Sequence, residues 1–174
     1  MRTFIALELP EDVAHDAEAM ARSLGCAFPC KVMPQQNMHL TLAFIGEIGE
    51  AQASDAIEAL EAACVGVVPI ELKATQLGKF GRKSDATVWL GFEGTPELMG
   101  LAESVRKELA ARELPFDQKA FKPHVTLARR AQLPSGPLPE LEFPLPAEAT
   151  RVTLFRSRLE RDGAHYKPLT TVEL

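Results

Sequence analysis

Apolar and polar residues alternate most cleanly in two short stretches, and each stretch is a copy of the other: His39-Leu40-Thr41-Leu42-Ala43 and His124-Val125-Thr126-Leu127-Ala128, 85 positions apart. In an extended strand the side chains at i and i+2 share a face, so each copy sends its His and Thr to one side and its Leu or Val to the other. The rest of the chain reads in the same terms. A strand over Arg2–Leu9 is followed by Pro10 and the acidic pair Glu11-Asp12, which suit a helix start, and a helix runs to about Leu24 before Gly25. A proline-punctuated connection from Cys26 to Gln36 leads into the first patterned strand, Met38–Ile45, with Gly46 as its stop. Ala56, Ile57, Leu60 and Ala63 fall at helical spacing in a second helix, Ser54–Cys64. Strands at Ile70–Leu77 and Ala86–Phe92 follow, with Gly78 to Asp85 between them as a hairpin turn. Thr95 as cap and Pro96 at the first helical position open a third helix that reaches about Arg112. The second patterned strand, Lys122–Arg129, a rigid connector from Pro134 to Pro146, and closing strands at Arg151–Leu159 and His165–Val172 complete the chain.

Strand pairs joined by short turns favour antiparallel pairing, so the pattern predicts an α+β fold and not a parallel α/β domain. The chain is expected to form one domain, residues 1–174, from two similar halves at about 1–91 and 92–174, each with one His-x-Thr strand. A pseudo-twofold relation between the halves brings the two strands face to face.

That arrangement gives the histidines a chemical meaning. Imidazole titrates near neutrality and can give or take a proton, and a hydroxyl beside it can donate to an oxyanion without carrying charge. The bland alternative for one His-x-Thr is a half-buried histidine beside a common strand former. Only four histidines occur, however, and two of them sit in near-identical frames. His15 lies on a solvated helix face and His165 beside a turn at Asp162-Gly163, and neither is a catalytic candidate.

Composition narrows the classes. With 46% hydrophobic residues in 174 the chain can bury one substantial core. No apolar run approaches the ~20 residues that cross a bilayer, and the first residues do not read as a signal peptide, so a cytoplasmic protein is expected. Cys26, Cys30 and Cys64 lack C-x-x-C spacing and read as isolated thiols, with no structural metal implied. A net charge of −5 argues against a protein that coats nucleic acid. Yet Lys119, Lys122, Arg129 and Arg130 bracket His124 with no acidic residue from Lys119 to Arg130, which points to a local phosphate site. Gly78-Lys79-Phe80-Gly81-Arg82-Lys83 lacks the spacing of a nucleotide-binding loop; its Phe80 could stack on a base.

The two His-x-Thr-Leu strands, the opening Arg2-Thr3-Phe4-Ile5-Ala6-Leu7, Asn37, and the run from Phe121 to Arg129 together resemble the two-histidine (2H) phosphoesterase superfamily, and within it the bacterial and archaeal RNA 2′,3′-cyclic phosphodiesterases, also called 2′-5′ RNA ligases. The resemblance implies a bilobal fold with two antiparallel sheets lining a central cleft and helices outside. It implies hydrolysis of a terminal RNA 2′,3′-cyclic phosphate to a 2′-phosphate without metal or other cofactor, with ATP-independent 2′-5′ joining as the same chemistry run with a 5′-hydroxyl. His39 matches the proton donor to the leaving oxygen and His124 the proton acceptor, while Thr41, Thr126 and Arg129 match substrate-binding positions. The chain departs from the common pattern at Val32, often aromatic, and at Ala43, often Arg. The expected partner is an RNA end bearing a 2′,3′-cyclic phosphate, or a small cyclic nucleotide, bound by a monomer. Two other readings are a non-catalytic RNA-end binder, which would need cations more than a titratable pair, and a metal-dependent hydrolase, for which one ligand per strand is too few.

Overall fold

The computed structural model describes all 174 residues. Ten strands and three α-helices follow one another as β1 (Arg2–Glu8), α1 (Glu11–Ala27), β2 (Lys31–Val32), a 3-10 turn (Gln35–Asn37), β3 (His39–Glu47), α2 (Glu50–Ala63), β4 (Ile70–Leu72), β5 (Ala74–Arg82), β6 (Asp85–Phe92), α3 (Pro96–Ala111), β7 (His124–Ala131), β8 (Ala147–Ala149), β9 (Arg151–Glu160) and β10 (Gly163–Glu173). The strands form two four-stranded antiparallel sheets, in the orders β10-β9-β1-β3 and β2-β7-β6-β5, with β4 and β8 as a separate pair. Each sheet takes strands from early and late in the chain: β9 and β10 complete the sheet of β1 and β3, and β2 crosses to β7. No helix is long and apolar enough to cross a membrane.

The helices cover the sheets from behind. α1 packs on β2 and β7, α2 on β9 and β10, and α3 on β3. Their apolar positions join the inward-facing residues of both sheets in one core, which includes Ile5, Leu7, Leu40, Leu42, Val125 and Leu127. α3 starts as its sequence requires, with Pro96 in its first turn and Thr95 Oγ1 accepting the Leu98 amide at 3.2 Å.

Several sequence expectations change. α1 runs through Gly25 to Ala27, α2 begins at Glu50, ahead of Ser54, and the strand expected over Ile70–Leu77 divides at Lys73 into β4, paired with β8, and β5, in the sheet of β6 and β7. β3 does not stop at Gly46, which takes φ +89° and carries the strand on to Glu47. The segment from Gly78 is mostly strand, not turn: β5 runs to Arg82, and only Lys83 and Ser84 separate it from β6. Gly78 is there for packing. A Cβ on it would lie 2.1 Å from the Trp89 ring, so only glycine lets that ring lie across β5.

Candidate active site

In both patterned strands the alternation holds as far as the Thr and then slips by one. Leu40 and Leu42 are buried around Thr41, and Val125 and Leu127 around Thr126. Pairing then shifts, so that Leu42 is the extra residue between the pairs Ala6–Thr41 and Ile5–Ala43, and Leu127 between Trp89–Thr126 and Val88–Ala128. A β-bulge of this kind leaves two consecutive side chains on one face. Leu42-Ala43 and Leu127-Ala128 therefore both point into the core, and the cleft face resumes at Phe44 and at Arg129. Phe44 and Arg129 hold equivalent places, five residues after each His.

β3 and β7 touch where the sheets meet. A cleft of about 570 Å³ opens there, lined by His39, Thr41, Phe44, Thr126 and Arg129. His124 opens into an adjoining groove of about 530 Å³ with Phe80, Arg106, Phe121 and Lys122, and Thr41 and Phe44 belong to both spaces. The groove is held in shape from α3: Arg106 donates to the carbonyls of Leu42 at 3.2 Å and Lys119 at 2.8 Å and lies over the Phe121 ring. The Asp117 amide donates to the Phe44 carbonyl at 2.9 Å. The structure thus divides the cationic run read in the sequence, with Lys119 and Lys122 on the groove and Arg129 and Arg130 on the cleft.

Each histidine stands in aromatic company from its own sheet. Phe155, Tyr166 and Phe4 surround His39 with ring centroids 4.4, 5.6 and 6.2 Å away. Phe80 and Trp89 flank His124 at 5.4 and 5.8 Å. The sequence reading missed Phe4, Phe155, Tyr166 and Trp89; Phe4 was within reach, since it shares the face of Ala6 and Glu8 on β1. The imidazoles differ in their ties. His124 Nδ1 lies 2.6 Å from the Lys122 carbonyl. A carbonyl only accepts, so Nδ1 carries the proton and Nε2 keeps the lone pair when the ring is neutral. His39 Nδ1 is buried without a well-formed hydrogen bond. Burial holds the His39 pKa below the ordinary histidine value, against the opposing pull of the Glu8 carboxylate and the Asn37 carbonyl.

Glu8 is the cross-strand partner of His39 and is itself anchored, accepting from Thr153 Oγ1 at 2.7 Å and facing Arg151 at 3.4 Å. Behind His39 lies a second hollow of about 640 Å³, but Glu8, Glu11, Glu18 and Glu148 line it. An anion is repelled there and attracted to the cleft. Of the remaining histidines, His15 is exposed on α1. His165 is exposed near the start of β10, 2.7 Å from Asp162, whose carboxylate raises its pKa. With Glu160 these two form the one cluster of three possible metal ligands, and it includes neither His39 nor His124.

A model of the 2′-5′ RNA ligase superfamily matches residues 9–161. The chain belongs to that superfamily. The RNA 2′,3′-cyclic phosphodiesterase of Thermotoga maritima is 34% identical over 175 residues, spanning 97% of this chain and 93% of that protein. Among solved structures, a Thermus thermophilus protein superposes with a TM-score of 0.84 at 27% identity, covering 100% of this chain and 98% of its own. Escherichia coli LigT complexed with 3′-AMP gives 0.81 at 27% identity, covering 99% and 96%. The two departures from the superfamily pattern leave the cleft face untouched. Ala43, 1% exposed, is part of the core beneath the groove that His124 opens into, and the half-buried Val32 packs against that core.

Proposed function

We propose that the chain hydrolyses the 2′,3′-cyclic phosphate at an RNA end and leaves a 2′-phosphate. The observation that carries this reading is the meeting of two His–Thr pairs around Thr41, one histidine half-buried on the cleft and the other fixed by a carbonyl on the adjoining groove. The relatives support it: the Thermotoga protein is a phosphodiesterase of this kind, and LigT forms a complex with 3′-AMP. One chain supplies both pairs, which suits a monomer.

The phosphate sits against Thr41 and Thr126, whose hydroxyls donate to its non-bridging oxygens, with the Arg129 guanidinium balancing its charge. Water attacks phosphorus from the groove and gives a proton to His124 Nε2, the nitrogen left free by the Nδ1–H bond to Lys122. The bond from phosphorus to the 3′-oxygen breaks as His39 delivers its proton to that oxygen. The histidines end with their protonation exchanged and reset through solvent. General acid and base help is worth ~10²–10⁴ per group. An RNA 5′-hydroxyl in place of water gives a 2′-5′ linkage by the same steps.

An oligonucleotide ending in a 2′,3′-cyclic phosphate should be turned over in excess chelator, and phosphorus NMR should show a 2′-phosphate alone. Loss of turnover restored by a divalent ion would overturn the metal-free mechanism, and a 3′-phosphate would overturn the placement of the leaving oxygen.

A pH profile tests the His39 role. An acid is active when protonated, so the rate falls as pH rises through its pKa. In the free protein burial holds that pKa down, whereas a bound phosphate anion beside it favours the imidazolium. Because kcat/KM reports the free protein and kcat the complex, the alkaline limb of kcat is expected at higher pH than that of kcat/KM. Limbs that coincide would mean that the phosphate does not face the acid. Because the two imidazoles share one substrate, each limb describes the pair and not a single residue.

A further inference from the structure

β7 carries a second irregularity beyond the one that sets Arg129 on the cleft. Val88 pairs with Ala128 and Ala86 with Ala131, so Arg129 and Arg130 together stand opposite Thr87. Arg130 takes φ +50°, a left-handed conformation that a long side chain seldom adopts outside helix ends. Glu113, the other non-glycine with positive φ, follows the end of α3, where that conformation is routine. No helix ends at Arg130. The effect of its conformation is that two consecutive arginines line the same cleft.

Lys31, the β2 partner of Arg129, and Arg2 complete a cationic wall with the two arginines, and none of the four is paired with a carboxylate. Two carboxylates share the cleft, Asp85 and Asp162, and Asp162 is held by His165. Such a wall exceeds what one cyclic phosphate needs, since Thr41, Thr126 and Arg129 already meet its two non-bridging oxygens. Of the surplus, Arg130 lies one residue further along β7 from His124 than Arg129, Lys31 stands opposite Arg129 on β2, and Arg2 is on β1.

We propose that Arg130, with Lys31, binds the phosphodiester on the 5′ side of the terminal nucleotide, so that the site selects RNA ends over cyclic mononucleotides. The assignment rests on the cyclic-phosphate reading above and adds a second phosphate to it. A chain with net charge −5 does not coat RNA, but a local pair of cations is enough to hold one further phosphate.

The test compares kcat/KM for a dinucleotide ending in a 2′,3′-cyclic phosphate with that for the cyclic mononucleotide. Arg130→Asn removes the charge while keeping a residue that tolerates positive φ. It should lose about tenfold on the dinucleotide and less than about twofold on the mononucleotide, and lower the salt dependence of dinucleotide binding by about one charge. Arg130→Lys should retain most of the preference. With a neutral methylphosphonate as the internucleotide link, wild type and Arg130→Asn should become equal. Equal losses on both substrates, no loss on either, or a loss that survives the methylphosphonate would each overturn the second phosphate site and leave the cyclic-phosphate reading standing. Wild-type protein inactive on both substrates would overturn the two together.

Discussion

Replacing either His39 or His124 is expected to cut turnover of a cyclic phosphate by at least ~10², because each change removes one of the two groups proposed to move a proton in the same displacement. The double variant should cost little more than the worse single one, since a displacement that has lost its base gains little from its acid. Stability has to be kept apart from chemistry. His39 fills space among Phe4, Phe155 and Tyr166, so His39→Ala opens a cavity, whereas His39→Gln keeps polar volume and should unfold near the wild-type temperature with the same loss of activity. His15→Ala, on the exposed face of α1, should behave as wild type. An activated phosphodiester with a nitrophenolate leaving group separates the roles. Such a leaving group needs no proton, so variants at the acid should recover on it and variants at the base should not. Recovery of the His124 variants in place of the His39 variants would reverse the assignment, and near-full activity of either histidine variant on the cyclic phosphate would sink the paired mechanism.

The two strands that carry this chemistry were legible in the sequence because period-2 alternation and a repeated frame are local signals. Their bulges were half-legible. Leu42-Ala43 and Leu127-Ala128 are adjacent apolar residues where strict alternation asks for a polar one, and that break marks the point at which the cleft face moves to Phe44 and Arg129. Read without the bulge, Ala43 looked like a departure on the binding face; read with it, the departure is buried. Gly78 misled for a different reason. Glycine is a turn former by habit, but here it makes room for the Trp89 ring across the sheet, a requirement set by a residue on the next strand. The pairing of β9 with β1 joins residues about 150 positions apart, and Glu8 stands beside His39 only because β1 pairs with β3. Neither long-range pairing leaves a trace in any window of the sequence, so the first ring of chemistry was readable and the second, Glu8, Trp89, Phe155 and Tyr166, was not.

Thr41→Val and Thr126→Val are each expected to lower kcat by about 10² with KM nearly unchanged, the low end of what one preorganised donor to a developing oxyanion contributes. Valine keeps the β-branched shape and the strand preference of threonine, so the strands should survive the change. Thr41 is exposed and Thr126 half-buried, and neither hydroxyl has a partner within the protein whose loss would complicate the reading. The split between kcat and KM follows from where charge grows. The bound phosphate shares one negative charge between two non-bridging oxygens, and attack by water concentrates more on both, so a hydroxyl aimed at either is stronger in the transition state than in the ground state. The two threonines come from different strands, β3 and β7, and in the proposed mechanism each meets its own oxygen. Their losses should therefore multiply in the double variant, unlike those of the histidines, and Ser at either place should restore most of the rate. A rise in KM at constant kcat would show that the hydroxyls only anchor the substrate. A double variant no worse than a single one would show that both act on one oxygen, and would place the second oxygen against Arg129 alone.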